Sequence, residues 1–460
     1  MKPPFDIPAD LDTPVSAFRK LAAFEPIFLL ESVEGGERLA RYSFIGLGRA
    51  GGVQLRGDTL LVDGETRSGP VTSETVLEAL RAGLASAPKL LPEIPGLPLD
   101  GGLVGLMGYD FVRRIERLPT QTAPAEEPEI DLVAPRSLLV FDHLTRRVAF
   151  VHSGPEWERQ SLRREIVHAL RAGLPMPSVR TGHAPPEASL SEDAFLAAVA
   201  KTKEHIAAGD VFQLVLSVRF TGSCRTDPFE VYRALRLLNP SPYMYYFDFG
   251  STQLVGSSPE ALVKLTDGVG TLRPIAGTRP RGTDDASDKA LEAELLADPK
   301  ESAEHVMLVD LARNDLGRVA EPGSVAVKPY RSIERYSHVM HIVSGVSGKI
   351  AAGKDAFDLF AACFPAGTLT GAPKVRAMQI IDTLEPVRRG FYGGTVGYFS
   401  KSGNMDMAIA IRTLCFHNGR YAYQAGAGIV ADSDPRAEYR EVRAKVGAAE
   451  AALSLAEEGL

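Results

Sequence analysis

The stretch that most limits how this chain can fold is Asp298 to Asp315, DPKESAEHVMLVDLARND. Asp298 followed by Pro299 reads as a helix start: an N-cap acceptor, then a proline whose missing N–H costs nothing at the first helical position. Glu301, three residues on, has the spacing to close a capping box. Ala303, Val306, Met307, Leu308, Val309 and Leu311 leave almost no polar face, and a helix apolar nearly all round is normally buried. Glu301 and Glu304, at i and i+3, nevertheless share one side near its start. Two carboxylates on one face of a buried helix repel unless something positive sits between them.

A second copy of the arrangement stands near the C-terminus. In DPRAEYRE, Asp434 to Glu441, Asp-Pro again opens a helix, and Glu438 and Glu441 are again spaced i and i+3. Two such pairs on separate helices suit one hard cation. Carboxylate oxygens with retained waters are the usual setting of Mg²⁺, which takes one or two protein carboxylates plus substrate oxygens. An isolated E-x-x-E is otherwise a solvated helix face, so at this point both readings stand.

With 460 residues the chain has room for two or three domains or one large one. Its net charge of −7 and lack of a Lys/Arg run argue against nucleic acid or an anionic membrane as partner. The longest apolar runs fall far short of a bilayer span. The N-terminal MKPPFDIPAD has acids and prolines where a signal peptide needs an apolar core. Cys224, Cys363 and Cys415 are scattered, with no C-x-x-C, which fits a reducing cytoplasm and no disulfide framework.

Along the chain, helices are expected over 14–21, 73–85 and 155–172, and strands over 26–30, 37–46 and 101–111, with a hairpin over 137–151. The Pro/Ser/Gly-rich 175–190 reads as a linker between an N-terminal region (1–174) and a C-terminal region (191–460) that holds the chemistry. Ser191 caps a helix with Phe195, Val199, Thr202 and Ile206 on one stripe. GGLVGLMGY at Gly101 faintly echoes GGTVGYF at Gly393. LRPIAGTRPRG, 272–282, reads as a loop exposing two of its three arginines, and His338 and His341 fall at strand or loop positions. CFPAGTLTGAPKVRAM opens a helix whose free N–H groups suit an anion. YAYQAGAGIVADSDP reads as a strand, a tight Gly-Ala-Gly turn, and then the second glutamate helix.

PIAGTRPRG, ESAEHVMLVDLARND, SHVMH, CFPAGTLTGAPK, GGTVGYF and QAGAGIVADSDPRAEYRE occur here in one order. Together they resemble the chorismate-utilising enzymes, and LLES, ERLARYSFIG and NPSPYM extend the resemblance into the first half. It implies an α/β fold of the α+β type, with antiparallel sheets packed at the centre and helices outside. By motif position it implies Glu304 and Glu441 as direct Mg²⁺ ligands, with Glu301 and Glu438 acting partly through water. Arg412, Tyr392 and the backbone around Gly426, Ala427 and Gly428 resemble the family's clamp on the pyruvyl carboxylate, with Thr368 and Thr278 as further contacts. Glu260 matches the general acid that protonates the departing ring hydroxyl. His341 matches the histidine of pyruvate loss, with His338 close beside it.

Two positions select among the family's reactions. Relatives that add water carry a lysine base where this chain has Gln213, and glutamine cannot deprotonate water. Relatives that make aminodeoxychorismate carry a lysine nucleophile where PIAGT places Ala276, and alanine cannot attack the ring. What remains is direct addition of ammonia and elimination of pyruvate to give anthranilate. No cysteine here sits on a glutaminase-type elbow, so a separate glutamine amidotransferase subunit in a hetero-oligomer is expected to supply the ammonia. Aminodeoxychorismate synthesis and a non-catalytic metal-binding regulator are the alternatives. Finally, LLES and NPSPYM resemble segments that bind tryptophan as feedback inhibitor: Glu31 for its ammonium, Ser32 as a hydrogen-bond partner, and Pro242, Tyr243 and Met244 as a wall for indole.

Overall fold

The computed structural model describes residues 4–32, 41–119, 127–175, 182–336 and 339–460. His338, residues 37–40 of the expected strand and residues 176–181 of the linker lie outside them. The chain divides into two compact units. The first comprises Met1–Glu260, Leu369–Ser402 and Ala408–Leu460; the second comprises Ala261–Thr368 and Gly403–Met407. The described chain on both sides of the expected linker, before residue 176 and after residue 181, belongs to the first unit.

An antiparallel ladder runs through the first unit. Thr395–Ser400 pairs with Gly102–Met107, which pairs with Ile130–Asp142, which in turn pairs with Tyr42–Arg56. From there the order passes through Pro26–Glu31, Tyr243–Asp248, Thr252–Ser258, Thr413–His417 and Arg420–Ile429 to Gln213–Ser223. The two glycine-rich strands that echo each other in sequence are therefore direct neighbours, with Gly105 opposite Gly397. Glycine is required at 105: φ is +153°, and a Cβ there would lie 2.1 Å from the Asp131 carbonyl oxygen.

Side chains alternate across a strand, and Gln213–Ser223 sorts them by chemistry. Leu214, Leu216, Val218 and Phe220 join Ala425, Ala427 and Ile429 in the apolar core. Onto this face pack the helices Glu192–Ala207, through Phe195 and Val199, and Pro435–Glu458, through Val442, Val446 and Leu453. The other face of the strand carries Gln213, Ser217 and Arg219. Ser191 caps its helix as expected, accepting from the Ala194 N–H. Phe195 has no solvent exposure, so Phe195→Ala should cost about 3–5 kcal/mol in a denaturant titration. Trp157→Ala, at a side chain 73% exposed, should stay within about 0.5 kcal/mol; equal losses would discount this core.

In the second unit a small sheet runs Ile275–Pro280, Val339–Val343, Ser332–Arg335, all antiparallel. The expected loop at 272–282 is thus in part a strand. Its arginines are engaged: Arg273 pairs with Glu334, Arg279 contacts Glu294 and Asp298, and Arg281 makes a two-pronged contact with Asp288. The helix Pro299–Gly317 begins as expected, with the Asp298 carboxylate accepting from the Lys300 and Glu301 N–H groups. The expected capping box is not what the structure shows. Asp298 also ends the preceding helix, Asp285–Ala297, and its own N–H is taken by the Glu294 and Leu295 carbonyls. Nor is the helix buried all round. His305, Leu308, Ala312 and Leu316 form its buried stripe, while Val306 is 45% exposed. Among the described residues, no helix is long and apolar enough to cross a membrane.

Candidate active site

Within the second unit, strand register places Thr278 opposite His341. The Thr278 hydroxyl is 3.1 Å from His341 Nδ1, and Nδ1 is also 3.0 Å from the Gly277 carbonyl oxygen. A carbonyl only accepts, so Nδ1 carries a proton and donates it there, which leaves Nε2 as the ring nitrogen that can accept one. That is the tautomer a proton acceptor needs. Gly277 has φ +67°, and a Cβ on it would meet a Glu301 carboxylate oxygen at 3.1 Å. Glu301, Thr278 and His341 are thereby gathered in one region of this unit. Glu301 lies 3.7 Å from the Arg279 guanidinium, and Glu304 is half-buried one turn along the same helix. Thr368 follows Gly367, where a Cβ would collide with Leu311 of that helix at 1.9 Å. Ala276 is buried on the strand. His305, in the same helix, donates or accepts at 2.7 Å with the Ser344 hydroxyl, and burial pushes its pKa down; it is a packing histidine.

Within the first unit the centre is Arg420–Ile429, which is a continuous strand. The tight turn expected at Gly426–Ala427–Gly428 is replaced by regular pairing with Ser217, Leu216 and Val215. The glycines serve close approach instead. A Cβ on Gly426 would stand 3.0 Å from the Tyr392 hydroxyl, and one on Gly428 would stand 2.7 Å from the Gln213 amide nitrogen. Tyr392 is buried, and burial pushes its pKa up, so it stays a neutral phenol. Ala427 points into the apolar core on the opposite face, which leaves only its backbone for a ligand. Lys445 links this strand to the second glutamate pair: its ammonium donates to the Gly426 carbonyl at 2.9 Å and sits 2.7 Å from Glu441. Asp434 caps that helix, accepting from the Ala437 N–H, with Pro435 first in it. Arg412 is exposed at φ +49°, a conformation uncommon for a non-glycine residue. Glu260 is half-buried at the tip of Thr252–Ser258; its carbonyl accepts from Ile409 and its N–H reaches Ser258 Oγ at 3.3 Å. The helix after the Gly/Thr loop, Lys374–Leu384, begins with no side chain capping its N–H groups.

Each glutamate pair is seated near a helix start beside a protein cation, Arg279 for Glu301 and Lys445 for Glu441. Hard oxygen donors that already draw positive charge are the donor set Mg²⁺ takes. Within neither unit do the described residues gather three or more His, Cys, Asp or Glu side chains around one metal position.

The segments expected to hold an effector meet in the first unit. Met244 pairs with Glu31 across adjacent strands. Glu31 is buried and already engaged: Tyr232 donates to it at 2.5 Å, and Arg236 at 3.0 and 3.2 Å. Met244 is in the core, whereas Ser32, Pro242 and Tyr243 are partly exposed. Reading the sequence missed Tyr232 and Arg236, along with Ser217, Glu385, Arg389 and Lys445. Only the i, i+4 spacings Glu385–Arg389 and Glu441–Lys445 hinted at any of them.

Residues 25–450 match the family of chorismate binding enzymes. The anthranilate synthase component 1 of Pseudomonas aeruginosa is 46% identical, with 99% of this chain and 96% of that one aligned. That of Thermus thermophilus is also 46% identical, over 98% and 97%. The crystal structure of anthranilate synthase component I from Streptococcus pneumoniae superposes with a TM-score of 0.78 at 35% identity, covering 89% of this chain and 92% of that one. Escherichia coli MenF, the menaquinone-specific isochorismate synthase, shares the fold at a TM-score of 0.71 and 19% identity, over 96% and 92%. This chain belongs to the chorismate binding enzyme family.

Proposed function

We propose that the chain converts chorismate and ammonia to anthranilate and pyruvate, as the component 1 subunit of an anthranilate synthase in tryptophan biosynthesis. The observation that carries this reading is full-length identity near one half to proteins of that name. Gln213 and Ala276 support it, because neither can serve as a base for water or as a covalent nucleophile.

In this reading Glu304 and Glu441 would be the residues that hold Mg²⁺ directly, with Glu301 and Glu438 acting partly through water. Bound there, Mg²⁺ would supply positive charge for the ring carboxylate, which four glutamates alone would repel. Arg412, the Tyr392 hydroxyl and the Gly426–Gly428 backbone hold the pyruvyl carboxylate, with Thr368 and Thr278 as further donors. Ammonia adds to the ring as the 4-hydroxyl leaves with a proton from Glu260. His341 Nε2 then accepts the ring proton as the C–O bond to the enolpyruvyl group breaks and the ring becomes aromatic. The departing enolpyruvate takes up a proton at its methylene carbon to become pyruvate. A glutamine amidotransferase subunit supplies the ammonia, and the three buried cysteines suit a cytoplasmic setting. Tryptophan is the feedback inhibitor.

The test is product analysis with the purified chain, chorismate, Mg²⁺ and an ammonium salt at alkaline pH. Anthranilate and pyruvate are expected, and glutamine in place of ammonium should give no product. Aminodeoxychorismate as the end product would overturn the reaction, and glutamine hydrolysis by the isolated chain would overturn the division of labour.

A further inference from the structure

Behind the Gly426 strand lies an ion pair that the proposed chemistry does not use. Arg389 and Glu385 are both buried, at 2% and 5% exposure. The Arg389 guanidinium donates twice to Glu385, at 2.9 and 2.7 Å, and also to the Val215 carbonyl at 2.9 Å and the Leu369 carbonyl at 2.6 Å. Glu385 in turn accepts from the Ser217 N–H at 2.9 Å and the Ser217 hydroxyl at 2.7 Å. That hydroxyl accepts from the Gln424 amide at 2.8 Å, which fixes the direction of every hydrogen bond in the row. The guanidinium also lies over two rings, 4.8 Å from the Tyr109 centroid and 5.6 Å from that of Tyr392.

A buried pair of this kind is poor value as a stabiliser, since the cost of desolvating both charges rivals their attraction. What it does supply is geometry. Val215 is opposite Gly428 and Ser217 is opposite Gly426. One rigid, planar fork thus ties the strand beneath both glycines to the ring whose hydroxyl faces Gly426. A lysine in its place would keep the charge but could not reach these acceptors in a fixed plane.

We propose that Arg389 and Glu385 are positioning residues for chorismate: they hold the Tyr392 hydroxyl and the Gly426–Gly428 backbone in the arrangement that grips the substrate carboxylate. The proposal rests on the functional reading above, in which those groups form the clamp. Arg389→Lys should raise the KM for chorismate about tenfold or more, a loss of about 1.4 kcal/mol, with the KM for ammonium unchanged. The Kd for chorismate, by calorimetry without ammonium, should rise in parallel. Because Arg389 acts in part through Tyr392, combining Arg389→Lys with Tyr392→Phe should worsen the chorismate KM by clearly less than the product of the two single effects.

A merely structural role would lower the fraction of active enzyme, so that Vmax falls with both KM values unchanged. That result, or additive effects in the double variant, would overturn the proposal. Should Arg389→Lys fail to fold, Ser217→Ala leaves the ion pair intact and should shift the same constant in the same direction; an unchanged constant there overturns it too. Wild-type enzyme that binds chorismate but yields no anthranilate would refute the reaction alone, and the Kd ratios would still judge the clamp.

Discussion

Glu304→Gln or Glu441→Gln is expected to cut ammonia-dependent anthranilate formation at least about a thousandfold, roughly 4 kcal/mol of transition-state stabilisation, with an unchanged circular dichroism spectrum. The substitution keeps shape and removes only charge. A glutamine oxygen is a far weaker ligand for a hard dication than a carboxylate, so under the proposed metal assignment the ion would be lost. Geometry favours a charge effect over a packing effect: Glu441 is exposed and reached by Lys445 at 2.7 Å, and Glu304 is half-buried. Glu321→Gln is the control, a partly exposed carboxylate in the second unit paired with Lys349 at 2.9 Å. It should leave the rate within about a factor of two, as surface ion pairs contribute little. Near-normal Mg²⁺-dependent turnover in both active-site variants would sink the metal assignment and leave the family membership intact.

What the sequence showed and what it hid divide along a physical line. Local rules were legible: Asp298 and Asp434 cap their helices, proline stands first in each, and Ser191 caps its own. Features decided by distant partners were not. The Asp298 N–H is consumed by the helix before it, so the capping box that the spacing allows has no donor left. PIAGTRPRG looks like a loop because glycine, proline and arginine are turn and surface residues. Over Ile275–Pro280 it is nonetheless a strand, with a register shift between Ala276 and Thr278, and Arg279 and Arg281 find Asp288, Glu294 and Asp298 further along the chain. Gly426 and Gly428 were read as a turn, yet the absent side chains make room for Tyr392 and Gln213. Glu31 looked available, but Tyr232 and Arg236 already hold it from some two hundred positions away. The motifs that identify the family are legible because they are compact in sequence, whereas the supports beneath them are not.

Those supports shape the regulatory prediction. Tryptophan is expected to inhibit the enzyme, and Ser32→Ala should raise the half-inhibiting concentration about tenfold or more, the loss of one hydrogen bond to a charged group being about 1.5–3 kcal/mol, while kcat stays within about twofold. The motivating observation is that strands Pro26–Glu31 and Tyr243–Asp248 are hydrogen-bonded neighbours, which brings Ser32 and the partly exposed Pro242 and Tyr243 to adjoining strand ends. Glu31 is the wrong residue to test. Its carboxylate offsets the half-buried Arg236 and fastens the helix Pro228–Leu238 to the sheet, so Glu31→Gln would damage that joint and inhibition together. Met244 is likewise a core residue, and truncating it costs stability wherever tryptophan binds. Ser32 carries neither burden. Inhibition further requires that the ligand prefer an inactive arrangement, since equal affinity for both arrangements shifts nothing however tight it is. A steady-state titration of tryptophan on wild type and Ser32→Ala decides the matter. Wild-type enzyme indifferent to tryptophan at about 1 mM, on the order of the weakest specific affinities, would refute the effector site, and a Ser32→Ala variant inhibited like wild type would move it elsewhere.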